Sequence, residues 1–238
     1  MEILGIIPAR GGSKGVINKN IRKLNGLPLI SHTINSLQKS NSLSRIIVST
    51  DDDRIAKIAK SHNIEVPFMR PKNISGSKTT MKSVVKHALN FLEKKENYKP
   101  DLIMIFQPTT PYRPKKLIDE TIKIFQTQNI SSLITVSKIK FHPLIMFKIK
   151  SKFLSPMEKK FQNYTNRQSR ELYYQPTGAL YAFWRKTLLN HNSIYGPRIY
   201  PKIITENEFN LDIDNAFDFF ISEMTEKYWN KYKKKFNL

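Results

Sequence analysis

Ile3-Leu4-Gly5-Ile6-Ile7-Pro8-Ala9-Arg10-Gly11-Gly12-Ser13-Lys14-Gly15, followed by Lys19-Asn20, is the stretch on which the reading of this chain turns. The apolar run from Ile3 to Ile7 has the look of a buried strand. It stops at a proline and opens into a glycine-rich loop carrying Arg10, Lys14 and Lys19. A loop of this kind offers backbone N–H groups and cations together, the combination that a polyphosphate requires. The spacing fits neither G-x-x-x-x-G-K-[ST] nor G-x-G-x-x-G. The residues alone therefore leave two readings, a further kind of nucleotide loop or a flexible turn.

Working outward, Leu29, Ile30, Thr33, Ile34 and Leu37 recur at helical spacing over residues 28–37. A second strand over 45–49 ends at Thr50-Asp51-Asp52-Asp53, whose carboxylates favour the positive end of a helix over 54–61. Residues 64–68 read as a short extended segment before Arg70-Pro71. An amphipathic helix over 79–94 carries Met81, Val84, Val85, Ala88, Leu89 and Leu92 on one side. A buried strand over 102–106 then runs into Gln107-Pro108-Thr109-Thr110-Pro111-Tyr112-Arg113 and a helix over 114–125. Four repeats of strand then helix predict an α/β fold with a mostly parallel sheet covered on both faces. The polar clusters at 8–20, 50–53 and 107–113 then share the carboxyl edge of that sheet, where such folds bind ligands.

The second half changes character. Residues 132–136, 144–149 and 178–183 read as strands, with a polar excursion over 151–174 that holds Arg167, Arg170 and several aromatic residues. Near the end, Asn210-Leu211-Asp212-Ile213-Asp214 precedes a helix over about 215–234. If this segment is extended, Asp212 and Asp214 point to one face and the apolar residues to the other. Two readings stand at this point. Asp214 can cap the following helix, or the pair can hold Mg²⁺, a hard cation that takes carboxylate oxygens together with substrate phosphates.

Composition narrows the function classes. At 238 residues the chain is expected to form a single domain. It contains no cysteine, which removes disulfides, thiolate catalysis and cysteine-ligated metals. The start, Met1-Glu2-Ile3, shows no basic region leading into an apolar block, so a cytoplasmic protein without a membrane segment is expected. The formal charge of +21 comes from 40 basic and 19 acidic residues. Nucleic-acid binding is one reading of that charge. The lysines are nonetheless spread along the chain, and only Lys231 to Lys235 is dense, so a lysine-rich composition is the preferred reading. The aromatic residues beside that tail are expected to pack the last helix onto the sheet.

Taken in order, the motifs resemble those of the acylneuraminate (CMP-sialic acid) cytidylyltransferases, a group related to the CMP-Kdo synthetases. The resemblance spans nearly the whole chain. It is carried by Pro8 to Gly15 with Lys19-Asn20, Ile47-Val48-Ser49-Thr50-Asp51, Arg70-Pro71, His87-Ala88-Leu89, Gln107-Pro108-Thr109, Arg167-Gln168, Gly178-Ala179 and Asp212-Ile213-Asp214. It implies a three-layer sandwich with a Rossmann-like sheet of the nucleotide-diphospho-sugar transferase type. It also implies transfer of a cytidylyl group from CTP to the anomeric hydroxyl of a 2-keto-3-deoxy sugar acid, with pyrophosphate released. A CMP-Kdo-type or other sugar nucleotidyltransferase is the alternative on the same fold, and a basic nucleic-acid-binding protein the alternative of another class.

By the same resemblance, Arg10, Lys14 and Lys19 hold the triphosphate, with Ala9, Gly11, Gly12 and Ser13 around it. Asn20, Arg70 and Thr80 place the cytidine end. Gln107 faces the sugar, joined by His142, Arg167, Gln168, Gln175 and Thr177. Asp212 and Asp214 hold Mg²⁺, which moves the reading of this pair from capping to metal. The element over 140–175 becomes a projecting dimerisation excursion that lends Arg167 to a neighbouring subunit of a homodimer. His87 is expected to be packed rather than catalytic. The chain departs from the family pattern at Ser77, Thr80, Ile145, Gln175 and Thr177, where family members usually carry aspartate, serine, lysine, arginine and asparagine. These departures fall in the sugar half and imply a different nonulosonic acid, such as a legionaminic or pseudaminic acid, with Arg167, Arg170 or Lys138 available to replace the lost cations.

Overall fold

A computed structural model describes residues 1–13, 15–158 and 171–236. Its frame is a six-stranded sheet with an alternating core. The first strand, β1 (Ile3–Pro8), sends Ile3 and Ile7 to one face and Leu4 and Ile6 to the other, so both faces are buried and the run is apolar throughout. A short hairpin, β2 (Lys23–Leu24) and β3 (Leu27–Pro28), leads into α1 (Leu29–Leu37), with Pro28 at its N-cap. Then come β4 (Arg45–Ser49), α2 (Asp53–Ser61), α3 (Met81–Glu96), β5 (Leu102–Ile105) and α4 (Leu117–Thr127). The helices α1, α2 and α4 cover one face through Ile30, Ile34, Ile55, Ala59, Leu117 and Phe125. Val85, Leu89 and Leu92 of α3 cover the other.

The second half completes the sheet with β6 (Ser132–Lys138), β9 (Tyr174–Trp184) and β10 (Ile199–Ile203), in the order β10-β6-β9-β5-β1-β4. Between β6 and β9 a separate hairpin forms from β7 (Phe147–Lys150) and β8 (Phe153–Pro156). The short α5 (Arg185–His191) follows β9, and α6 (Ala216–Phe236) ends the described chain. Five strands of the sheet are parallel, and β9 runs against both of its neighbours, β5 and β6. Its amino-terminal half therefore lies at the carboxyl edge of the others.

Several elements differ from the sequence reading. Residues 64–68 form only isolated bridges, Ile47 with Glu65 and Thr50 with Met69, because the segment leaves the edge of the sheet after each contact. The run over 144–149 splits into a 3-10 turn at Pro143–Ile145 and the strand β7, since Pro143 starts the turn. The edge strand β10 was hidden by Pro201, which an edge position tolerates. The tail aromatics are not packed onto the sheet: Tyr228, Tyr232 and Phe236 stay at least half exposed. Trp229 alone is tied down, its indole N–H donating to Glu208 at 2.8 Å. No helix among the described residues is long and apolar enough to cross a membrane.

Candidate active site

The glycine loop is folded by contacts to the ends of β1 and β4. Ala9 N–H donates to the Ser49 carbonyl at 3.0 Å, extending the ladder one residue past β1. Gly11 N–H then donates to Asp51 Oδ1 at 2.9 Å. A side chain at Gly11 would meet Asp52 Oδ2 at 2.9 Å, and Gly12 has φ of 57°, so each glycine meets a distinct demand. Asn20, buried, donates from Nδ2 to the Arg10 carbonyl at 2.9 Å and draws the far end of the loop back. Gly15 lies directly against the carbonyl of Asp214, leaving no room for a Cβ.

The aspartates after β4 are spent on this scaffold. Asp51 takes the Gly11 amide and faces the Arg70 guanidinium at 3.6 Å. Asp52 caps α2 by accepting from Arg54 N–H at 2.9 Å, and the Arg54 side chain holds its carboxyl below the usual carboxylate range.

These contacts bound a cleft of about 310 Å³ at the carboxyl edge of the sheet. The loop lines it with Arg10, Ser13, Lys19 and Asn20, which with Arg70 make the nucleotide wall, and Gln107 after β5 lines it from a separate element, the acceptor wall. The Arg70 side chain is 3% exposed. Burial pulls its pKa down, Asp51 works against that, and the nearby Arg10 cation adds to the lowering. Among the described residues, three cations, Arg10, Lys19 and Arg70, thus line a cleft to which one carboxylate, Asp214, contributes. Such a field gathers anions.

The two late aspartates are unequal. Lys19 Nζ donates to the Ile213 carbonyl and sits 3.4 Å from Asp214 Oδ1. Asp212 does not line the cleft. Crowding by protein raises the pKa of Asp212; a hydrogen bond from Thr109 opposes the rise, and the neighbouring charge of Asp214 adds to it. Capping of α6 falls to Asn215, whose Oδ1 accepts from the amides of Phe217 at 2.8 Å and Asp218 at 3.0 Å, while Asp218 Oδ2 reaches back to the amides of Asp214 and Asn215, both at 2.9 Å. The pair is therefore free of capping duty, and the Lys19 cation acts on both carboxylates. Among the described residues no group of three or more His, Cys, Asp or Glu could hold a metal. Two carboxylates fit Mg²⁺ in one circumstance, with substrate phosphates supplying the remaining oxygens.

The other predicted residues divide. Lys14, Arg167, Arg170 and Gln168 lie outside the described residues. Thr80 caps α3, its Oγ1 accepting from Ser83 N–H at 3.2 Å, and lies outside the cleft lining, whereas Ser77 is part of it. His142 is buried, accepts from Leu144 N–H at 3.2 Å and packs edge-on to Tyr173, away from the cleft lining. Gln175 is exposed on β9 opposite Ser137. Thr177 is buried, with its hydroxyl on Thr135 Oγ1 at 2.9 Å. His87 packs edge-on to Phe68, and burial lowers its pKa, helped by Arg70. The sequence reading passed over the wall formed by Ser75, Gly76 and Thr79. The signal was present in the small, turn-forming residues between Arg70-Pro71 and α3.

Comparison with known proteins gives the family and the fold likeness of the chain. The chain matches the family model described as cytidylyltransferase over residues 4–234. It is 33% identical over 224 residues to the CMP-N,N'-diacetyllegionaminic acid synthase of Campylobacter jejuni, covering 93% of this chain and 94% of that protein. It is 29% identical over 234 residues to the N-acylneuraminate cytidylyltransferase of Escherichia coli, covering 98% of this chain but 54% of that longer protein. Among solved structures, a CMP:2-keto-3-deoxy-manno-octonic acid synthetase complexed with CTP superposes with a TM-score of 0.69. That match has 14% identity and covers 95% of this chain and 98% of the other.

Proposed function

This chain belongs to the cytidylyltransferase family of nucleotidyltransferases, and on that premise we propose that it transfers a cytidylyl group from CTP to the anomeric hydroxyl of a nonulosonic, sialic-acid-like sugar acid. The observation that carries the reading is the cleft in which Arg10, Lys19 and Arg70 face Gln107 across the carboxyl edge of the sheet. Its nucleotide wall is cationic, as a triphosphate requires, and its opposite wall carries a neutral amide suited to sugar hydroxyls.

In the reaction, the anomeric oxygen forms a bond to the α-phosphorus of CTP as the bond to the pyrophosphate oxygen breaks, and the hydroxyl proton is lost. Negative charge grows on the equatorial and leaving oxygens. Arg10 and Lys19, the latter held in place by the Ile213 carbonyl and Asp214, stabilise that charge. Asn20 holds the loop backbone through the Arg10 carbonyl. Asp212 and Asp214 are the residues that would hold Mg²⁺, whose chemistry when bound is to neutralise phosphate charge and lower the pKa of the attacking hydroxyl.

Association of two copies belongs to the same reading. The β7–β8 hairpin exposes Ile149, Phe153 and Leu154, each at least two-thirds open, which supports pairing through this projection. Gel filtration with light scattering is expected to give a dimer.

The decisive experiment measures pyrophosphate release from each of the four nucleoside triphosphates against a panel of 2-keto-3-deoxy sugar acids. Release from CTP alone, and only with an acceptor present, is expected. Preference for UTP or ATP overturns the cytidylyl assignment, and Kdo as the sole acceptor overturns the nonulosonic one.

A further inference from the structure

Behind the acceptor wall lies a guanidinium that does not itself line the cleft and reaches it only through the backbone of Gln107. Arg113, 8% exposed, donates from Nε to the Ala179 carbonyl at 2.8 Å. It also donates from one Nη to Thr33 Oγ1 at 3.1 Å and from the other to the Gln107 carbonyl at 2.6 Å. Its carbon Cζ lies 5.7 Å from the centroid of the Phe106 ring. No carboxylate pairs with it among the described residues. Burial lowers its pKa to about 9, which still leaves it cationic at neutral pH.

A buried cation with no counter-ion is costly, and an apolar residue of similar volume would pack there without that cost. Its hydrogen bonds show what its presence supplies. They tie together three elements that share no ladder at this point: the turn after β5, the bulge in β9 and α1. The turn and the bulge meet at one place. Gly178, with φ of 78°, has no Cβ, and one placed there would fall 2.6 Å from Gln107 Oε1 and 2.8 Å from Thr110 Oγ1. The Gln107 side chain therefore lies over Gly178. Its backbone is held by Arg113 on one side, and the strand beneath it is held by the same Arg113 on the other.

We propose that Arg113 is a positioning residue for the sugar acid: it fixes the spacing between the Gln107 turn and the Gly178 bulge, and so the direction in which Gln107 presents its amide to the acceptor. This rests on the functional reading above. Arg113 makes no contact with Arg10, Lys19, Arg70 or the glycine loop, so the nucleotide wall stands without it.

The test separates the two substrates kinetically. Steady-state constants for CTP and for the accepted sugar acid are measured for Arg113→Lys, Arg113→Met and Thr33→Val. Arg113→Lys keeps the charge but loses the fork that reaches two carbonyls at once. It is expected to raise the acceptor KM at least about tenfold, with the CTP KM within about threefold of the parent. Thr33→Val, which leaves both carbonyl bonds in place, is expected to raise the acceptor KM by less than about threefold, the smallest change of the set. Where Arg113→Met does not fold, Arg113→Lys carries the result. A parallel rise in both constants, or an unchanged acceptor KM in Arg113→Lys, overturns the proposal. A parent enzyme that turns over no sugar acid with CTP counts against the functional reading instead.

Discussion

The two walls of the cleft are built on different physical principles. The nucleotide wall is a loop, from Pro8 to Asn20, shaped by amide-to-carboxylate and amide-to-carbonyl bonds near the ends of β1 and β4, with Arg10 and Lys19 lining the cleft. The acceptor wall is held from behind by buried groups distant in sequence. Thr110 donates to the Thr177 carbonyl, Arg113 to the Ala179 carbonyl, and Thr135 Oγ1 receives both Thr177 Oγ1 and the Leu180 amide. The first wall can change its charge and keep its shape. The second takes its shape from its hydrogen bonds. Variants of the nucleotide wall should therefore damage chemistry at little cost in stability, and variants of the acceptor wall should do the reverse or shift acceptor affinity.

The largest effect is expected at Lys19. Lys19→Met removes a cation from the triphosphate side and strips Asp214 of its partner. A drop in kcat of about 10² to 10³ is expected, the range seen when one transition-state donor is removed. The melting temperature should fall little: the ion pair it breaks involves a carboxylate that is 77% exposed, and the lost bond to the Ile213 carbonyl is worth about 1 kcal/mol. A variant with normal kcat would put the reacting phosphates elsewhere.

Next in size is Gly15→Ala. The added methyl has no space against the Asp214 carbonyl, so the loop and the acidic segment must move apart. A displacement near 1 Å between groups that act together costs on the order of 10²-fold. Turnover and CTP affinity, read by calorimetry, should fall together. If CTP binding is retained in full, the loop and the acidic segment do not act on the same substrate.

A smaller effect, graded rather than abrupt, is expected from pH. Protein crowding raises the Asp212 carboxyl above the usual aspartate range, with Asp214 adding to the rise. For a carboxylate the ionised form is the one disfavoured in the fold, so protonation sets in at higher pH than for a free aspartate. If turnover requires the ionised pair, kcat/KM falls about tenfold per pH unit below that raised midpoint. A profile flat down to the ordinary aspartate range, about 3.9, would remove Asp212 from the reaction. The same raised pKa makes the ionised group a burden on stability at neutral pH, one relieved as pH falls through the midpoint.

The contrast between the walls also explains what could be read in the sequence. The nucleotide wall is local: glycines, cations and the Asp51 support follow strands whose apolar runs announce themselves, and Arg10, Lys19, Asn20 and Arg70, named from the loop and the resemblance, line one cleft. The acceptor wall depends on pairs 45 to 67 residues apart, Thr135 with Leu180 and Thr110 with Thr177. Nothing in a linear pattern announces such pairs. Thr177, which the resemblance puts at the sugar, has its hydroxyl on Thr135, and Arg113, which closes the polar stretch after β5, bonds to the Ala179 carbonyl. The antiparallel run of β9 escaped notice for the same reason, since strand direction is set by pairing and not by period.

The smallest effect tests the buried side of the comparison. The register between β6 and β9 shifts between Ile134 and Val136, where the four residues of β9 from Thr177 to Leu180 lie opposite the single residue Thr135 of β6. Such a bulge leaves backbone groups without ladder partners. Thr135 answers part of that need, its Oγ1 donating to the Leu180 carbonyl and accepting from the Leu180 amide, both at 3.0 Å. Thr177 adds its own hydroxyl at 2.9 Å and takes the Ala179 amide at 3.4 Å. Thr177→Val keeps the shape and deletes those bonds, so a loss of about 1 kcal/mol is expected. At this chain length that corresponds to roughly 2–4 °C in melting temperature, measured calorimetrically. The CTP KM should not move, because no group of the nucleotide wall touches Thr177. A fall in CTP affinity with the melting temperature unchanged would mean that Thr177 turns toward substrate, and the two walls would then no longer differ in kind.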